Sequence, residues 1–128
     1  MILGLGVDVI EHERVARVLE RHGPAFLARV FTADEIAEGE RLHRGVAGWA
    51  ARFAAKEAVF KALGGEQTML WHEIIVLYRQ RPLPEVTLGP QFAAALQRRH
   101  GVATGRWHLS LSHSRQTAVA VAIYETLP

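Results

Sequence analysis

With 128 residues, 49% hydrophobic content and no cysteine, the chain can bury a real core as one domain over 1–128. That composition excludes disorder, disulfides, zinc–thiolate sites and thiol chemistry. A net charge of +2 with interspersed acids and bases argues against a protein built to neutralise a nucleic-acid backbone, yet allows a local basic face toward an acidic partner. The segment Met1 to Val9 is too short for a membrane span and has no basic leader, so the expected location is cytoplasmic without membrane insertion.

Ile2 to Val9 reads as a strand, with Leu3, Leu5, Val7 and Val9 on one face and Gly4, Gly6 and Asp8 on the other. Two glycines on one strand face point to close approach by a ligand or by a packed helix. Glu13 to about Arg21 has the stripe Val15, Val18 and Leu19, while Arg14, Arg17 and Arg21 recur on a neighbouring face. His22-Gly23-Pro24 ends that helix, and Ala25 to Val30 is a short amphipathic piece. Thr32 and Glu35 have the spacing of a capping box, which predicts a helix to about Leu42.

A central alanine-rich helix begins between Gly45 and Trp49 and runs to Leu63, with Gly64-Gly65 as its left-handed exit. Trp49, Phe53, Glu57 and Lys61 fall at steps of four along it, and the stripe drifts enough for its two ends to meet different neighbours. Further on, Ile74–Tyr78 and Val86–Leu88 are strands separated by the breaker Arg81-Pro82-Leu83-Pro84, and Phe92 to Arg99 is a helix. Trp107 to Ser112 alternates, with Trp107, Leu109 and Leu111 opposite His108, Ser110 and Ser112. After a turn at His113 to Gln116, Ala118–Ile123 is the last strand.

Lys56 and Lys61 are the only lysines, every other basic residue being arginine, and Asp8 is one of two aspartates. If the central helix packs on the glycine side of the first strand, Asp8 and Glu57 converge and suit magnesium. Two carboxylates leave positions for waters or the phosphates of a substrate. The competing reading is a surface aspartate beside an ordinary Glu57–Lys61 helix pair. Lys61 shares the Glu57 stripe and is the candidate phosphate contact. Lys56 points elsewhere, toward a second substrate feature or along the core. His108, Ser110 and Ser112, near His113, could donate to an anion or simply form a solvated sheet face. The chain holds no complete GxGxxG, no GxxxxGK[ST], no HExxH and no nucleophile elbow.

In order along the chain come Gly4-Leu5-Gly6-Val7-Asp8, Arg14, Phe31-Thr32 with Glu35, Arg52-Phe53-Ala54-Ala55-Lys56-Glu57-Ala58 with Lys61-Ala62-Leu63-Gly64, and His108-Leu109-Ser110-Leu111-Ser112-His113. With these motifs essentially the whole chain resembles the holo-[acyl-carrier-protein] synthase family, the small 4'-phosphopantetheinyl transferases of bacterial fatty-acid synthesis. The resemblance implies a compact α+β domain, an antiparallel sheet packed with helices, equivalent to half of the longer two-lobed transferases. It implies magnesium-dependent transfer of 4'-phosphopantetheine from coenzyme A to a serine of apo-acyl carrier protein, releasing adenosine 3',5'-bisphosphate. Asp8 and Glu57 would hold the metal, and Asp8, Glu57 and Lys61 would form the catalytic set. Coenzyme A would be bound by Lys61, His108, Ser110, Ser112 and His113, in clefts between the subunits of a homotrimer. Arg14 matches the family's recurrent arginine for docking an acidic carrier, and periodicity extends that face to Arg17 and Arg21.

The departures are Glu73 where aspartate is common, Gln80-Arg81-Pro82 for a glycine-lysine-proline turn, and Gly64-Gly65-Glu66 for a glycine-threonine-glycine turn. They bear on carrier preference more than on chemistry. The alternatives are the same reaction on a polyketide or peptide-synthesis carrier, and an inactive coenzyme A- or carrier-binding protein.

Overall fold

The computed structural model describes residues 1–65, 67–80, 82–101 and 105–127, so the departures Glu66 and Arg81 lie outside the described residues. The chain runs β1 (Ile2–Glu11), α1 (His12–Val30), α2 (Ala33–Leu42), α3 (Gly45–Ala62), a 3-10 turn (Trp71–Glu73), β2 (Ile74–Gln80), β3 (Leu83–Leu88), α4 (Pro90–His100), β4 (Gly105–His113) and β5 (Thr117–Thr126). The fold is α+β, as expected. Gly23 at φ 38° kinks α1 just before Pro24, which separates the two helical pieces read in the sequence. The capping box is formed: Glu35 N–H donates to Thr32 Oγ1 at 3.3 Å, and Thr32 N–H to Glu35 Oε1 at 2.8 Å. Leu83 and Pro84 belong to β3 rather than to the breaker before it.

Glu73 has a local task. The cap residue of α4 is Gly89, which has no side chain to offer, and Pro90 occupies the first turn. Phe92 N–H donates instead to Glu73 Oε1 at 2.9 Å, and Gly89 N–H donates to the Glu73 carbonyl at 2.8 Å. One residue therefore caps the helix and ties it to the start of β2.

β1, β5 and β4 form an antiparallel sheet in the order β1-β5-β4, and β2 pairs with β3 in a hairpin. α3 covers one face of the larger sheet. Gly4, Gly6, Asp8 and Ile10 of β1 look toward it, next to Ala118, Ala120 and Ala122 of β5, which are fully buried. Ala50, Ala54, Ala55 and Ala58 of α3 are fully buried as well. This glycine–alanine contact lets the helix axis come unusually near the strands. A Cβ on Gly4 would collide with the Ala62 carbonyl oxygen, and one on Gly6 with that of Ala58. The glycines are thus explained by a helix packed on the strand.

The opposite sheet face carries Leu5, Val7 and Val9, exposed by 65, 51 and 63%. The pairing register sets them beside Ile123, Val121 and Val119, followed by His108, Ser110 and Ser112. The chain therefore turns Gly4, Gly6 and the β5 alanines inward and leaves Leu5, Val7 and Val9 exposed. Among the described residues, no helix is long and apolar enough to cross a membrane.

Gly6→Ala is expected to destabilise the fold by about 3 kcal/mol, because the added methyl meets helix backbone that cannot swing away. Urea unfolding measures this, and a loss within about 0.5 kcal/mol would show that α3 is not seated on the glycine.

Candidate active site

Four helix residues rise about 6 Å, and two strand residues advance about 6.7 Å. Ala62 lies over Gly4 and Ala58 over Gly6, so the next strand step brings Asp8 level with the turn of α3 that carries Glu57. The two acids converge as a consequence of the glycine seat. Burial holds the Glu57 carboxyl above the usual carboxylate range, and the negative charge of Asp8 adds to that shift; Lys61 and then Arg14 oppose it. Four predicted residues from β1, α1 and α3 are therefore electrostatically coupled in one place.

The Lys61 ammonium donates to Asp8 Oδ1 at 3.0 Å and to the Val7 carbonyl at 3.0 Å. It reaches across to the strand rather than forming only a local helix pair. Its side chain is 51% exposed against 15% for Asp8, so the lysine is positioned at the mouth of the cluster. Two carboxylates brought together, one of them held above its usual range, with an ammonium already drawn to the other, fit a hard dication with oxygen ligands. Among the described residues no third acid or histidine joins them, which leaves room for ligands from a substrate.

Lys56 is not at this site. It is fully buried and donates to the Val30 carbonyl at 2.7 Å and the Trp71 carbonyl at 3.0 Å, with Glu35 Oε1 at 2.6 Å. Burial pushes its ammonium down from the ordinary lysine value, against the upward pull of Glu35. Neither a solvent-seeking lysine nor a substrate contact, it is a core cation with its donors engaged.

One helical turn earlier, Arg52 Nη2 pairs with Glu38 Oε1 at 2.8 Å. Each glutamate also accepts from the edge of β2: Val76 N–H to Glu35 Oε2 at 2.9 Å, and Tyr78 N–H to Glu38 Oε2 at 3.1 Å. Two buried ion pairs thus join α3, α2 and β2. The sequence contained a signal for them, since Glu35 and Glu38 at i, i+3 share one face of α2, and Arg52 and Lys56 at i, i+4 share one face of an otherwise alanine-rich helix.

The aromatic end of the α3 stripe meets other partners, as its drift predicts: Trp49 packs on Phe31 at 5.3 Å and Phe53 on Trp71 at 5.1 Å between ring centroids. Beside it lies a cavity of about 280 Å³ lined by Leu42, Arg44, Trp49, Arg52, Tyr78 and His113. Arg52, one of its lining residues, has Nη1 buried without a hydrogen-bond partner among the described residues. Sequence reading did not find this cavity, because its walls come from α2, α3, β2 and β4. His113, predicted to bind a cofactor, lines it.

His108, Ser110 and Ser112 are placed otherwise. All three are exposed on the open face of the sheet, away from the face that carries Asp8 and Glu57. His108 Nε2 lies 2.7 Å from Glu125 Oε1, and that contact draws the Glu125 carboxyl below the usual range. A single chain does not bring these three residues to the acidic pair. Arg14, Arg17 and Arg21 are exposed along the first part of α1, and of the three Arg14 is coupled to Glu57.

The sequence profile of the 4'-phosphopantetheinyl transferase superfamily matches residues 4–122. The holo-[acyl-carrier-protein] synthase of Streptomyces coelicolor is 48% identical over 128 residues, covering 97% of this chain and 98% of that protein. The crystal structure of the synthase from Neisseria meningitidis superposes with a TM-score of 0.84 at 30% identity, covering 98% of this chain and all of that one. The synthase from Bacillus anthracis, solved in complex with CoA (3',5'-ADP), superposes with a TM-score of 0.77 at 30% identity over 99% of both chains. By its matched profile, its full-length relatives and its superposed fold, the chain belongs to the holo-[acyl-carrier-protein] synthase family of the 4'-phosphopantetheinyl transferase superfamily.

Proposed function

We propose that the chain transfers 4'-phosphopantetheine from coenzyme A to a serine of an apo-acyl carrier protein, dependent on magnesium, and releases adenosine 3',5'-bisphosphate. The convergence of Asp8 from β1 with Glu57 from α3, under the reach of Lys61, carries this reading. Asp8 and Glu57 would hold the metal, which when bound supplies charge neutralisation at the diphosphate oxygens. The serine oxygen attacks the phosphorus next to pantetheine, and the bond from that phosphorus to the bridging oxygen of adenosine bisphosphate breaks. Lys61 turns from Asp8 toward those phosphates and orients them. Glu57, its carboxyl held above the ordinary range, accepts the serine proton directly or through one water.

The cavity at Trp49 supports binding of the nucleotide end. Its indole gives a flat apolar wall, and the Arg52 and Arg44 guanidinium groups lend the lining positive charge for an anionic ligand. The open face of Leu5, Val7, Val9, Val119, Val121 and Ile123 supports a homotrimer. Assembly through it would carry His108, Ser110 and Ser112 to a neighbouring copy, where they could complete an intersubunit coenzyme A site. Arg14, Arg17 and Arg21 supply a basic helix face for an acidic carrier. This is one transferase domain acting in the cytoplasm, in fatty-acid synthesis.

Asp8→Ala and Glu57→Ala are expected to lower kcat by about a thousandfold, the scale of a lost charge-stabilising group, while circular dichroism and Tm stay near the parent's. Transfer at the parental rate by either variant would remove that residue from the site. Arg17→Glu with Arg21→Glu should raise the carrier KM about tenfold and leave the coenzyme A KM alone, a contrast that added salt reduces. An unchanged carrier KM would exclude docking on this helix face. Val121→Asp puts a charge in the open face and is expected to convert a trimer to single copies in light scattering. A parent already present as single copies at micromolar concentration would contradict assembly through this face.

A further inference from the structure

We infer that Lys56 is a positioning residue for the transfer reaction: its buried ammonium sets the rotation of α3 about its own axis, and thereby the direction in which the adjacent Glu57 faces Asp8. The inference rests on the transfer reading above for what Glu57 does, although the rotation itself is a property of the fold.

The sheet side of α3 is poorly keyed against turning. The helix side of that contact is Ala50, Ala54, Ala55, Ala58 and Ala62, against Gly4, Gly6, Ala118, Ala120 and Ala122, with Ile10, Leu109 and Tyr124 buried on the same sheet face. The alanines hold the helix close to the sheet, yet α3 itself sends no long apolar knob into that face. The other side of the helix supplies what is missing. The Lys56 ammonium is bound by the Val30 carbonyl at the end of α1, the Trp71 carbonyl in the 3-10 turn and Glu35 at the start of α2. These acceptors belong to three separate elements, so no small rotation of α3 keeps all three contacts. Glu35 is itself immobilised by the Thr32 and Val76 amides. A rigid anchor therefore receives the lysine, and the lysine fixes the helix.

Consecutive helix residues project about 100° apart. When Lys56 is pinned to the side away from the sheet, Glu57 is turned toward the sheet edge, where Asp8 stands. A rotation of about 20° would move a carboxylate some 6 Å from the axis by roughly 2 Å, enough to separate the pair. Arg52, one turn before and paired to Glu38, acts in the same sense at the far end of the helix.

The test removes the charge pair while keeping polar groups, with Lys56→Gln and Glu35→Gln combined. A crystal structure of this variant needs neither metal nor substrate. It should show α3 turned and the Glu57 carboxyl displaced from Asp8 by about 1 Å or more, the scale on which a supporting shell matters. In turnover, kcat should fall about tenfold with the coenzyme A KM within twofold of the parent, a split that general instability at a temperature well below Tm does not produce. Lys56→Arg keeps the cation but changes its reach, and offers a graded version of the same displacement should the double variant fail to fold. Glu57 superposing on its parental position in whichever variant folds overturns the inference, whatever happens to kcat. A displaced Glu57 in a protein whose parent transfers nothing would leave the positioning role standing and reject the transfer reading instead.

Discussion

The seating of α3 on the glycines of β1 is the constraint from which the rest of the structure follows. Gly4 and Gly6 have no Cβ, and a methyl at either would strike helix carbonyls of Ala62 and Ala58. The alanines of β5 extend the same shallow surface under the helix. Close approach is costly in packing material, since small residues bury little apolar area. The return is geometric: strand and helix lie near enough for a short Asp8 and a Glu57 to share one space. Longer residues at the glycine positions would bury more area and hold the two acids apart.

The same choice determines the character of the outer sheet face. With Gly4, Gly6 and the β5 alanines turned inward, Leu5, Val7 and Val9 of β1 face outward with Val119, Val121 and Ile123 of β5, and the three β1 residues remain exposed by half or more. The apolar surface that a small protein would ordinarily spend on its own core is thereby available to neighbouring chains. Stability within the chain comes partly from the buried pairs Lys56–Glu35 and Arg52–Glu38, whose carboxylates also satisfy the free edge of β2. Removing one partner from such a pair typically costs about 3–5 kcal/mol, because the other charge is stranded. These ions fasten the far side of α3, while the glycines admit its near side.

Much of this was legible along the chain. The capping box of Thr32 and Glu35, the interruption of the helix at His22-Gly23-Pro24, the left-handed exit at Gly64-Gly65 and the alternation of β4 are local signals, and all are present, the interruption as a kink at Gly23. Asp8 stood out as one of only two aspartates, and Glu57 as the acid on the stripe of α3 that carries Lys61. What escaped was decided by tertiary contact. Nothing in the sequence around Lys56 says that its three acceptors come from α1, α2 and the 3-10 turn. Nor does the sequence near Glu73 show that it must reach Phe92 to cap a helix whose cap residue is glycine. His108, Ser110 and Ser112 were read on the correct strand face, but only the register with β5 shows that this face points away from Asp8 within one chain.

In the proposed function the Asp8–Glu57 pair directs the transfer of a phosphopantetheine group. Intact mass measurement of an apo-acyl carrier protein, after incubation with this chain, coenzyme A and magnesium, tests it most directly. The expected result is a gain of one phosphopantetheine per carrier, abolished when magnesium is chelated. A carrier that keeps its apo mass in the presence of a folded chain, or that gains the group equally well without the metal, would contradict it.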